Sequence, residues 1–288
     1  MNKPKDEPGL QTILSHCGRN LEASGGYVNV PPYEGSTILH DDMEDLFGRV
    51  DNHLYGDGTA QTYGTDGGPT HEAFYDAMNK LERGAGTWAF STGLAGCTIP
   101  MMAFLKTGDH MLVTDSVYGP TRQFCEVLLK NFGVEAEFYE PTIGAGIEKL
   151  IRPNTRLIYM ESPGTHTFEM QDVPAIAAVA RKYNIVTMID NTYATPLNFQ
   201  PLKHGVDVVV HSATKYICGH SDVLMSTVTC NEKNWKQVRD VCKMTGQYAS
   251  AQSVYLGLRG LRTLKVRLDA VGVHTRKVVD WLLKREEV

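Results

Sequence analysis

The stretch Asp207-Val-Val-Val-His-Ser-Ala-Thr-Lys-Tyr-Ile-Cys-Gly-His-Ser221 decides how the rest of the chain is interpreted. Its valine-rich start, residues 206–210, is typical of a strand buried on both faces of a parallel sheet. Two hydroxyl residues, Ser212 and Thr214, and then Lys215 follow directly. Because a lysine ammonium at the mouth of a buried strand must be solvated or paired, it is seldom only structural. The segment on its own is also compatible with a plain surface lysine after a strand.

The residue types around Lys215 suit one kind of cofactor. A partly desolvated lysine amine is a nucleophile toward carbonyl groups, and the flanking hydroxyls of Ser212 and Thr214 suit a phosphate. An aldehyde cofactor that carries a phosphate uses both features. The pattern therefore predicts pyridoxal 5'-phosphate (PLP).

A second apolar segment, residues 186–192, contains Asp190 at its polar end. A carboxylate at the carboxyl end of a strand lies where open α/β sheets bind ligands. PLP withdraws electrons only while its ring nitrogen is protonated, and an acidic partner keeps it so. Asp190 is therefore predicted to pair with that nitrogen, on a strand next to that of Lys215. Capping of the turn at Thr192 is the alternative for the aspartate taken alone.

A glycine turn, Ser91-Thr-Gly-Leu-Ala-Gly96, follows a short predicted strand at residues 88–90 and opens an apolar helix. Such a turn offers free backbone N–H groups and the positive end of a helix dipole to an anion. Alone it is as often a plain helix start. Together with Ser212 and Thr214 it predicts a phosphate cradle.

Strands and helices alternate along the chain. The strands are predicted at 88–90, 110–114, 157–161, 186–192, 206–210 and 223–230, and the helices at 70–83, 93–105, 121–132, 173–183 and 258–283. Thr70 is predicted to cap the first of these helices. This alternation predicts an α/β fold with a mostly parallel, three-layer sheet. Tyr118 follows strand 110–114, where its ring can stack on a flat cofactor or can anchor its own turn.

Composition excludes several classes of protein. A net charge of −5 and the absence of Lys/Arg runs argue against nucleic-acid binding. No apolar stretch suggests a membrane span or signal peptide. The six cysteines contain no C-x-x-C pair and the ten histidines no metal spacing, which indicates reduced thiols in a cytoplasmic protein without a metal site. Residues 1–60 are irregular and are predicted to form an arm that contacts a neighbouring subunit.

The stretch from Asp207 to Ser221 resembles the lysine signature of the PLP-dependent Cys/Met metabolism (trans-sulfuration) enzymes, and the similarity runs from about residue 10 to the end. The resemblance implies the aspartate-aminotransferase-like type I fold, with Lys215 as the Schiff-base lysine. The roles it implies are catalysis by Lys215, Tyr118 and Tyr63, and cofactor binding by Asp190, Gly93, Leu94, Tyr118, Ser212, Thr214 and Tyr63 as well as Lys215.

The resemblance also implies an oligomer. In the family, a Tyr-x-Arg pair reaches the phosphate of the neighbouring subunit's cofactor, and homodimers assemble into tetramers. Tyr63 matches the tyrosine, but Thr65 replaces the arginine and cannot make its charged, bidentate contact. Residues 61–260 correspond to the PLP-binding large domain and 261–288 to the start of a C-terminal domain. Most of that domain, with the substrate-carboxylate arginine, is expected beyond Val288.

The stretch that starts at Glu161 bears on the reaction. It resembles bacterial-type cystathionine β-lyase, because γ-acting relatives typically carry Asn-Pro where Thr165-His166 stands. The resemblance implies β-elimination from an amino-acid thioether, L-cystathionine, to homocysteine, pyruvate and ammonia in methionine biosynthesis. A γ-acting relative (cystathionine γ-synthase or methionine γ-lyase) is one alternative. A non-catalytic PLP-binding or oligomerisation subunit is the other, because of the expected missing domain and Thr65.

Overall fold

A single mixed β-sheet organises the computed structural model, which describes residues 8–22, 24–56 and 58–288. Seven strands form the sheet in the order β1-β7-β6-β5-β4-β2-β3. They are β1 (Gly86–Phe90), β2 (His110–Thr114), β3 (Glu135–Tyr139), β4 (Thr155–Glu161), β5 (Val186–Asp190), β6 (Val208–His211) and β7 (Ser226–Cys230). Only β7 runs against its two neighbours, β1 and β6, among these strands. The mostly parallel sheet predicted from the alternation is confirmed.

Helices cover both faces of the sheet. Within the described residues they are α1 (Leu10–His16), α2 (Met43–Tyr55), α3 (Pro69–Glu82), α4 (Gly93–Thr98), α5 (Gly119–Gln123), α6 (Val173–Lys182), α7 (Thr195–Asn198), α8 (Glu232–Met244), α9 (Ala251–Leu261) and α10 (Leu264–Leu282). Short 3-10 helices span Gly64–Asp66, Ile99–Ala103, Gly144–Leu150 and Pro201–His204, and a π-helix spans Phe124–Leu129.

The valines of β6 show why the sheet is buried on both sides. Val208 and Val210 pack into the apolar cluster that holds α4 and α8. Val209 points to the opposite face and packs with α6. Since successive side chains of a strand point to opposite faces, an apolar run without alternation requires a layer of helices on each side. The result is the three-layer arrangement that the sequence predicts.

The helix before β1 begins earlier than its sequence predicts. α3 starts at Pro69 with Gly68 as its N-cap, so the prediction that Thr70 caps it is wrong. Proline suits the first helical position because the amide hydrogen it lacks would have no partner there. The Thr70 hydroxyl instead donates to Pro31 O at 2.7 Å and accepts from Tyr33 N at 2.9 Å. Thr70 therefore ties the N-terminal segment to α3.

Four other parts of the chain differ from expectation. The helix predicted at 93–105 is α4 followed by a 3-10 turn, and the one predicted at 258–283 is divided between α9 and α10. β3 was not predicted, because its half-exposed, charged sequence, Glu135–Tyr139, lies at an edge of the sheet and lacks an apolar run. The described part of residues 1–60 contains two helices, α1 and α2, where an irregular arm was expected. No residue of α2 is buried.

Candidate active site

The carboxyl ends of three neighbouring parallel strands bring the predicted site residues together. Glu161 ends β4 and is the register partner of Asp190, which ends β5. Asp190 in turn pairs with Val210 of β6, and the turn that carries Lys215 follows β6. The parallel order β4-β5-β6 therefore places Asp190 and the Lys215 turn at one edge of the sheet.

Lys215 borders an open cleft. Its side chain is exposed and has no hydrogen bond or ion pair to any residue in the described part of the chain. The cleft has a volume of about 740 Å³, and Thr214, Tyr216, Asp222 and Arg267 also line it. The backbone of Lys215 is fixed, since its N–H donates to Ser212 O at 3.0 Å and its carbonyl accepts from the next glycine in the turn. A fixed backbone with an unpaired amine suits a nucleophile that must reach a ligand.

Asp190 divides its two oxygens between a turn and the interior. The carboxylate is 8% exposed. Oδ1 accepts from the amide and the hydroxyl of Thr192, at 3.0 and 2.5 Å. Among the described residues, Oδ2 receives only the weak thiol donor of Cys97, at 3.5 Å. The turn-capping alternative is therefore correct for one oxygen, while the other can accept a stronger donor, as the ring nitrogen of PLP would be.

Glu161 is a site residue that was not identified from the sequence as one. It is 6% exposed, and Oε2 accepts from the backbone N–H of Tyr118 at 2.8 Å. Oε1 accepts from the Thr165 hydroxyl. Burial, and then the charge of neighbouring Asp190, raises the pKa of Glu161 to about 8. Its position at the end of a predicted strand, like that of Asp190, was the available signal.

Tyr118 is held through its backbone. It precedes α5, and the bond from its N–H to Glu161 fixes the loop after β2 beside β4. Its ring is 45% exposed, and its hydroxyl bonds to no residue within the described ranges. Because the loop is anchored by the main chain, the ring remains available for stacking.

The N-terminal turn of α4 meets the Lys215 turn at a close approach. Thr92 caps this helix by accepting from Ala95 N at 3.2 Å. The N–H groups of Gly93 and Leu94 lie in the first helical turn, where a helix provides them with no acceptor. A Cβ atom on Gly93 would stand 2.6 Å from Ser212 Oγ. A side chain at position 93 would therefore press on Ser212, and its absence leaves the N–H groups of this turn open beside the Ser212 hydroxyl, as a phosphate cradle requires.

The other hydroxyl of the predicted cradle is already bonded. Thr214 Oγ1 donates to Met225 O at 3.1 Å and accepts from Met225 N at 2.9 Å. These bonds attach the Lys215 turn to the segment that precedes β7. To bind a phosphate, the Thr214 hydroxyl would have to turn its proton away from the Met225 carbonyl. The Ser212 hydroxyl has no comparable pair of bonds to give up within the described residues.

Tyr63 lies apart from the Lys215 cleft. It is 51% exposed and borders a separate cavity of about 200 Å³ with His53, Thr65 and Lys243. Lys243 Nζ lies 3.1 Å from His53 Nδ1. The cavity therefore contains a cation although residue 65 is not arginine. A role of Tyr63 in the site of a neighbouring subunit stays a prediction.

The remaining observations concern metal ligands, membrane-spanning helices, the cysteines and His211. In the part of the chain that the structure describes, no three His, Cys, Asp or Glu side chains could together hold a metal ion. No helix there is both long and apolar enough to cross a bilayer. The six cysteines are buried free thiols. His211 Nε2 lies 2.5 Å from the carboxylate of buried Glu82.

Comparison with known proteins gives the same family from a family model and from individual relatives. Residues 11–288 match the family described as Cys/Met metabolism PLP-dependent enzymes. A Rhizobium johnstonii protein named as a candidate cystathionine β-lyase is 44% identical over 280 residues, which are 97% of this chain and 69% of the relative. The cystathionine β-lyase MetC of Escherichia coli is 38% identical over 281 residues, 97% of this chain and 70% of MetC.

Relatives with a different specificity also occur. The cystathionine γ-lyase of Bacillus subtilis is 34% identical over 273 residues, covering 94% of this chain and 69% of that protein. Among solved structures, metB from Corynebacterium glutamicum superposes with a TM-score of 0.89 at 31% identity, over 98% of this chain and 70% of that one. The fold is thus that of the PLP-dependent enzymes of fold type I.

Proposed function

This chain belongs to the family of Cys/Met metabolism PLP-dependent enzymes, and from that premise we propose that it is a carbon–sulfur β-lyase acting on L-cystathionine. PLP is the cofactor of this family. The observation that carries the proposal is the arrangement at the sheet edge. An unpaired, exposed Lys215 borders a cleft of about 740 Å³, and Asp190 ends the strand next to its own.

The residues present fit PLP. Gly93 has no side chain to cover the first N–H groups of α4 beside the Ser212 hydroxyl, and among the described residues one oxygen of Asp190 receives only a thiol. The residues proposed to hold the cofactor are Lys215 at its aldehyde carbon, Asp190 at the ring nitrogen, Gly93, Leu94, Ser212 and Thr214 at the phosphate, and Tyr118 on the ring face. Tyr63 is proposed to complete the site of a neighbouring subunit.

The chemistry divides between the cofactor and the chain. When bound, PLP supplies a sink for the electrons left on the substrate's Cα after a proton is removed. Lys215 Nζ is the proposed general base for that proton, because its amine is exposed to the cleft and has no competing partner within the described residues. Tyr118, whose ring is half-exposed, is proposed to give a proton to the departing sulfur. Loss of the thiolate from Cβ is the proposed step that defines the reaction.

The choice of the β position rests on two observations. Thr165-His166 stands where the γ-acting relatives typically carry Asn-Pro, and its threonine bonds to Glu161 inside the site. The relatives at 38% and 44% identity bear β-lyase names, although the one at 34% is a γ-lyase. The γ-acting alternative is therefore retained as the second candidate.

The test is the identity of the keto acid formed from L-cystathionine. Breaking the Cβ–S bond gives pyruvate and homocysteine, whereas breaking the Cγ–S bond gives 2-oxobutyrate and cysteine. We expect pyruvate from the PLP-loaded chain and none from Lys215→Ala. Formation of 2-oxobutyrate would establish the γ alternative, and PLP binding without any keto acid would favour a non-catalytic subunit.

Assembly, location and domain organisation are part of the same proposal. A homodimer or a tetramer of dimers would bring Tyr63 to a second cleft, which is consistent with its separation from the cleft of its own chain. The buried free cysteines agree with a cytoplasmic protein. We assign residues 61–260 to the PLP-binding domain, preceded by an arm over 1–60 and followed by the start of a C-terminal domain at 261–288.

A further inference from the structure

An arginine on α10 reaches the turn that carries Lys215. Arg267 Nη1 donates to the carbonyl of Tyr216 at 2.6 Å, and Nη2 donates to the carbonyl of Ile217 at 3.3 Å. These are the two residues directly after Lys215. A planar guanidinium can donate to two successive carbonyls at once, which a single ammonium cannot do with the same geometry.

The same guanidinium also binds the junction between α9 and α10. Nη2 donates to Gly260 O at 2.8 Å, and Nε donates to Thr263 Oγ1 at 3.1 Å. Arg267 therefore connects the Lys215 turn, which follows β6, to a helical corner that is distant in sequence. Helices are stiffer supports than a turn, so this connection restricts how far the turn can move.

Gly219 makes the approach of the guanidinium possible. It has a φ of +80°, and a Cβ atom there would stand 2.1 Å from Arg267 Nη1. Its N–H donates to Lys215 O at 2.8 Å, which closes the turn on the lysine. A side chain at position 219 would thus disturb both the turn and the arginine that holds it.

The charge of Arg267 lies in the wall of the cleft. Its four acceptors are neutral, and no carboxylate in the described residues forms an ion pair with it. Burial lowers the pKa of Arg267, although an arginine remains protonated under ordinary conditions. It borders the same cleft as Lys215. Three backbone carbonyls and the Thr263 hydroxyl already accept from its guanidinium, which indicates positioning and not substrate binding.

We propose that Arg267 is a positioning residue for Lys215. By holding the carbonyls of Tyr216 and Ile217, it sets the direction from which the lysine amine approaches the cofactor and the substrate's Cα. The part of this inference that concerns substrate rests on the proposed β-lyase function. The part that concerns the turn and the bound cofactor does not.

The chain offers a matched control in Arg262. This arginine lies at the same α9–α10 junction and donates to Leu14 O at 2.8 Å, away from the cleft. Arg267→Met and Arg262→Met both remove a partly buried guanidinium that binds a backbone carbonyl. Comparing the two separates a loss of positioning from a general loss of packing.

The experiment uses the PLP-loaded chain and four readouts. These are kcat and KM for pyruvate formation from L-cystathionine, the visible circular dichroism of the bound cofactor, amide hydrogen exchange in residues 215–219, and the melting temperature. For Arg267→Met we expect kcat to fall about 100-fold with KM within about threefold, because small misplacement of a reacting group has effects of that size. We expect exchange in the turn to rise about tenfold and the dichroism to weaken.

The remaining variants complete the test. Arg262→Met should keep kcat, dichroism and turn exchange within about twofold of the parent even if its melting temperature falls, and Arg267→Lys should recover part of the loss. Gly219→Ala should also lower kcat, and adding Arg267→Met to it should lower kcat by less than the product of the two separate effects. The single variant Gly219→Ala, compared with the parent, tests the turn even if Arg267→Met does not fold well.

Three outcomes would overturn the proposal. They are a kcat for Arg267→Met within about twofold of the parent, a change confined to KM, or equal losses in Arg267→Met and Arg262→Met. If the parent forms no pyruvate, the β-lyase proposal fails. Dichroism and amide exchange with PLP bound would then still decide whether Arg267 positions Lys215.

Discussion

At the scale of single residues, two carboxylates on neighbouring strands share one edge of the sheet but have different partners. Asp190 binds Thr192 and a thiol, while Glu161 holds the Tyr118 backbone and the Thr165 hydroxyl. Two like charges in register and out of water disfavour each other, so one of them retains its proton more easily. The raised pKa of Glu161 indicates that Glu161 is the carboxyl group that retains its proton more easily. Asp190 remains the proposed partner of the cofactor's ring nitrogen.

Removing the charge of Asp190 should impair catalysis much more than folding. We expect Asp190→Asn to lower kcat/KM by roughly 100-fold or more, since a contact pair of opposite charges is worth up to roughly 4 kcal/mol at an effective dielectric of about 20. The measurement is steady-state kinetics of pyruvate release. Asp172→Asn is the control, because Asp172 is an exposed cap of α6 and asparagine caps equally well. Equal losses in both variants would contradict the assignment.

The protonation of Glu161 should make the stability of the cofactor-free chain depend on pH. Its folded pKa of about 8 lies above the ordinary value of 4.5, so between these values the folded chain binds a proton that the unfolded chain does not. Its contribution to stability is therefore complete below about pH 4.5 and is lost as the pH rises toward 8, with a slope of at most about 1.4 kcal/mol per pH unit.

Glu161→Gln should remove this slope. Urea denaturation across that pH range would show a smaller decrease in the free energy of unfolding for the variant than for the parent. Glu140→Gln, at an exposed position after β3, is the control and should follow the parent. Parallel curves for parent and Glu161→Gln would show that Glu161 does not hold a proton in the folded chain.

At the scale of elements, the N-terminal turn of α4 and the turn after β6 are two distant segments that meet where we propose the phosphate binds. Ser226 Oγ donates to Thr92 O at 2.7 Å and Thr192 Oγ1 accepts from Ser212 N at 2.7 Å, so β5, β6, β7 and α4 are bonded to one another here. The bonds hold Gly93 against Ser212 without a side chain between them. Close approach of backbone to a ligand is what a glycine at this position permits.

A methyl group on Gly93 should weaken the binding of phosphate in particular. We expect Gly93→Ala to raise the dissociation constant of PLP about tenfold or more, since an added Cβ meets Ser212 Oγ at 2.6 Å. Binding of pyridoxal, which lacks the phosphate, should change little. Gly119→Ala is the matched control, because Gly119 also opens a helix but a Cβ atom there would have no described neighbour within 4 Å. Equal weakening for PLP and pyridoxal would argue against a phosphate cradle at Gly93.

At the scale of the whole molecule, the chain separates the two parts of its proposed site. Lys215 borders one cavity and Tyr63 another, and α2, which precedes Tyr63, has no buried residue. The exposed apolar side chains of α2 are Met43, Phe47, Leu54 and Tyr55. A second copy of the chain would cover such a surface and would supply the missing tyrosine to each cleft, as the proposed homo-oligomer requires.

Mixing two inactive variants tests this arrangement. Lys215→Ala and Tyr63→Ala chains should each be impaired alone. After joint refolding in equal amounts, half of the dimers are hybrids with one intact site, so about a quarter of the parent's activity should return. The measurement is pyruvate formation before and after mixing, with size-exclusion chromatography to confirm assembly. No recovery from mixed dimers would place both residues in a site formed by one chain.

The sequence by itself determined most strands of the sheet and predicted the chemical character of the site. β2 begins and ends where it was predicted, at His110 and Thr114, because a short apolar run bounded by turn residues is encoded locally. Asp190 and Lys215 were identified for a similar reason, since a polar group directly after a buried strand is visible in the order of residues. The family resemblance added the cofactor and the roles.

Only the tertiary structure decided which distant groups meet. The insertion of antiparallel β7 between β1 and β6, the pairing of Glu161 with Asp190, and the reach of Arg267 to the Lys215 turn all join segments far apart in the chain. Local patterns record whether a side chain is buried, but not which one faces it, because pairing depends on how the layers pack. The border of Tyr63 on a cavity separate from the Lys215 cleft has the same origin, although the family resemblance already implied a role for Tyr63 in a neighbouring subunit.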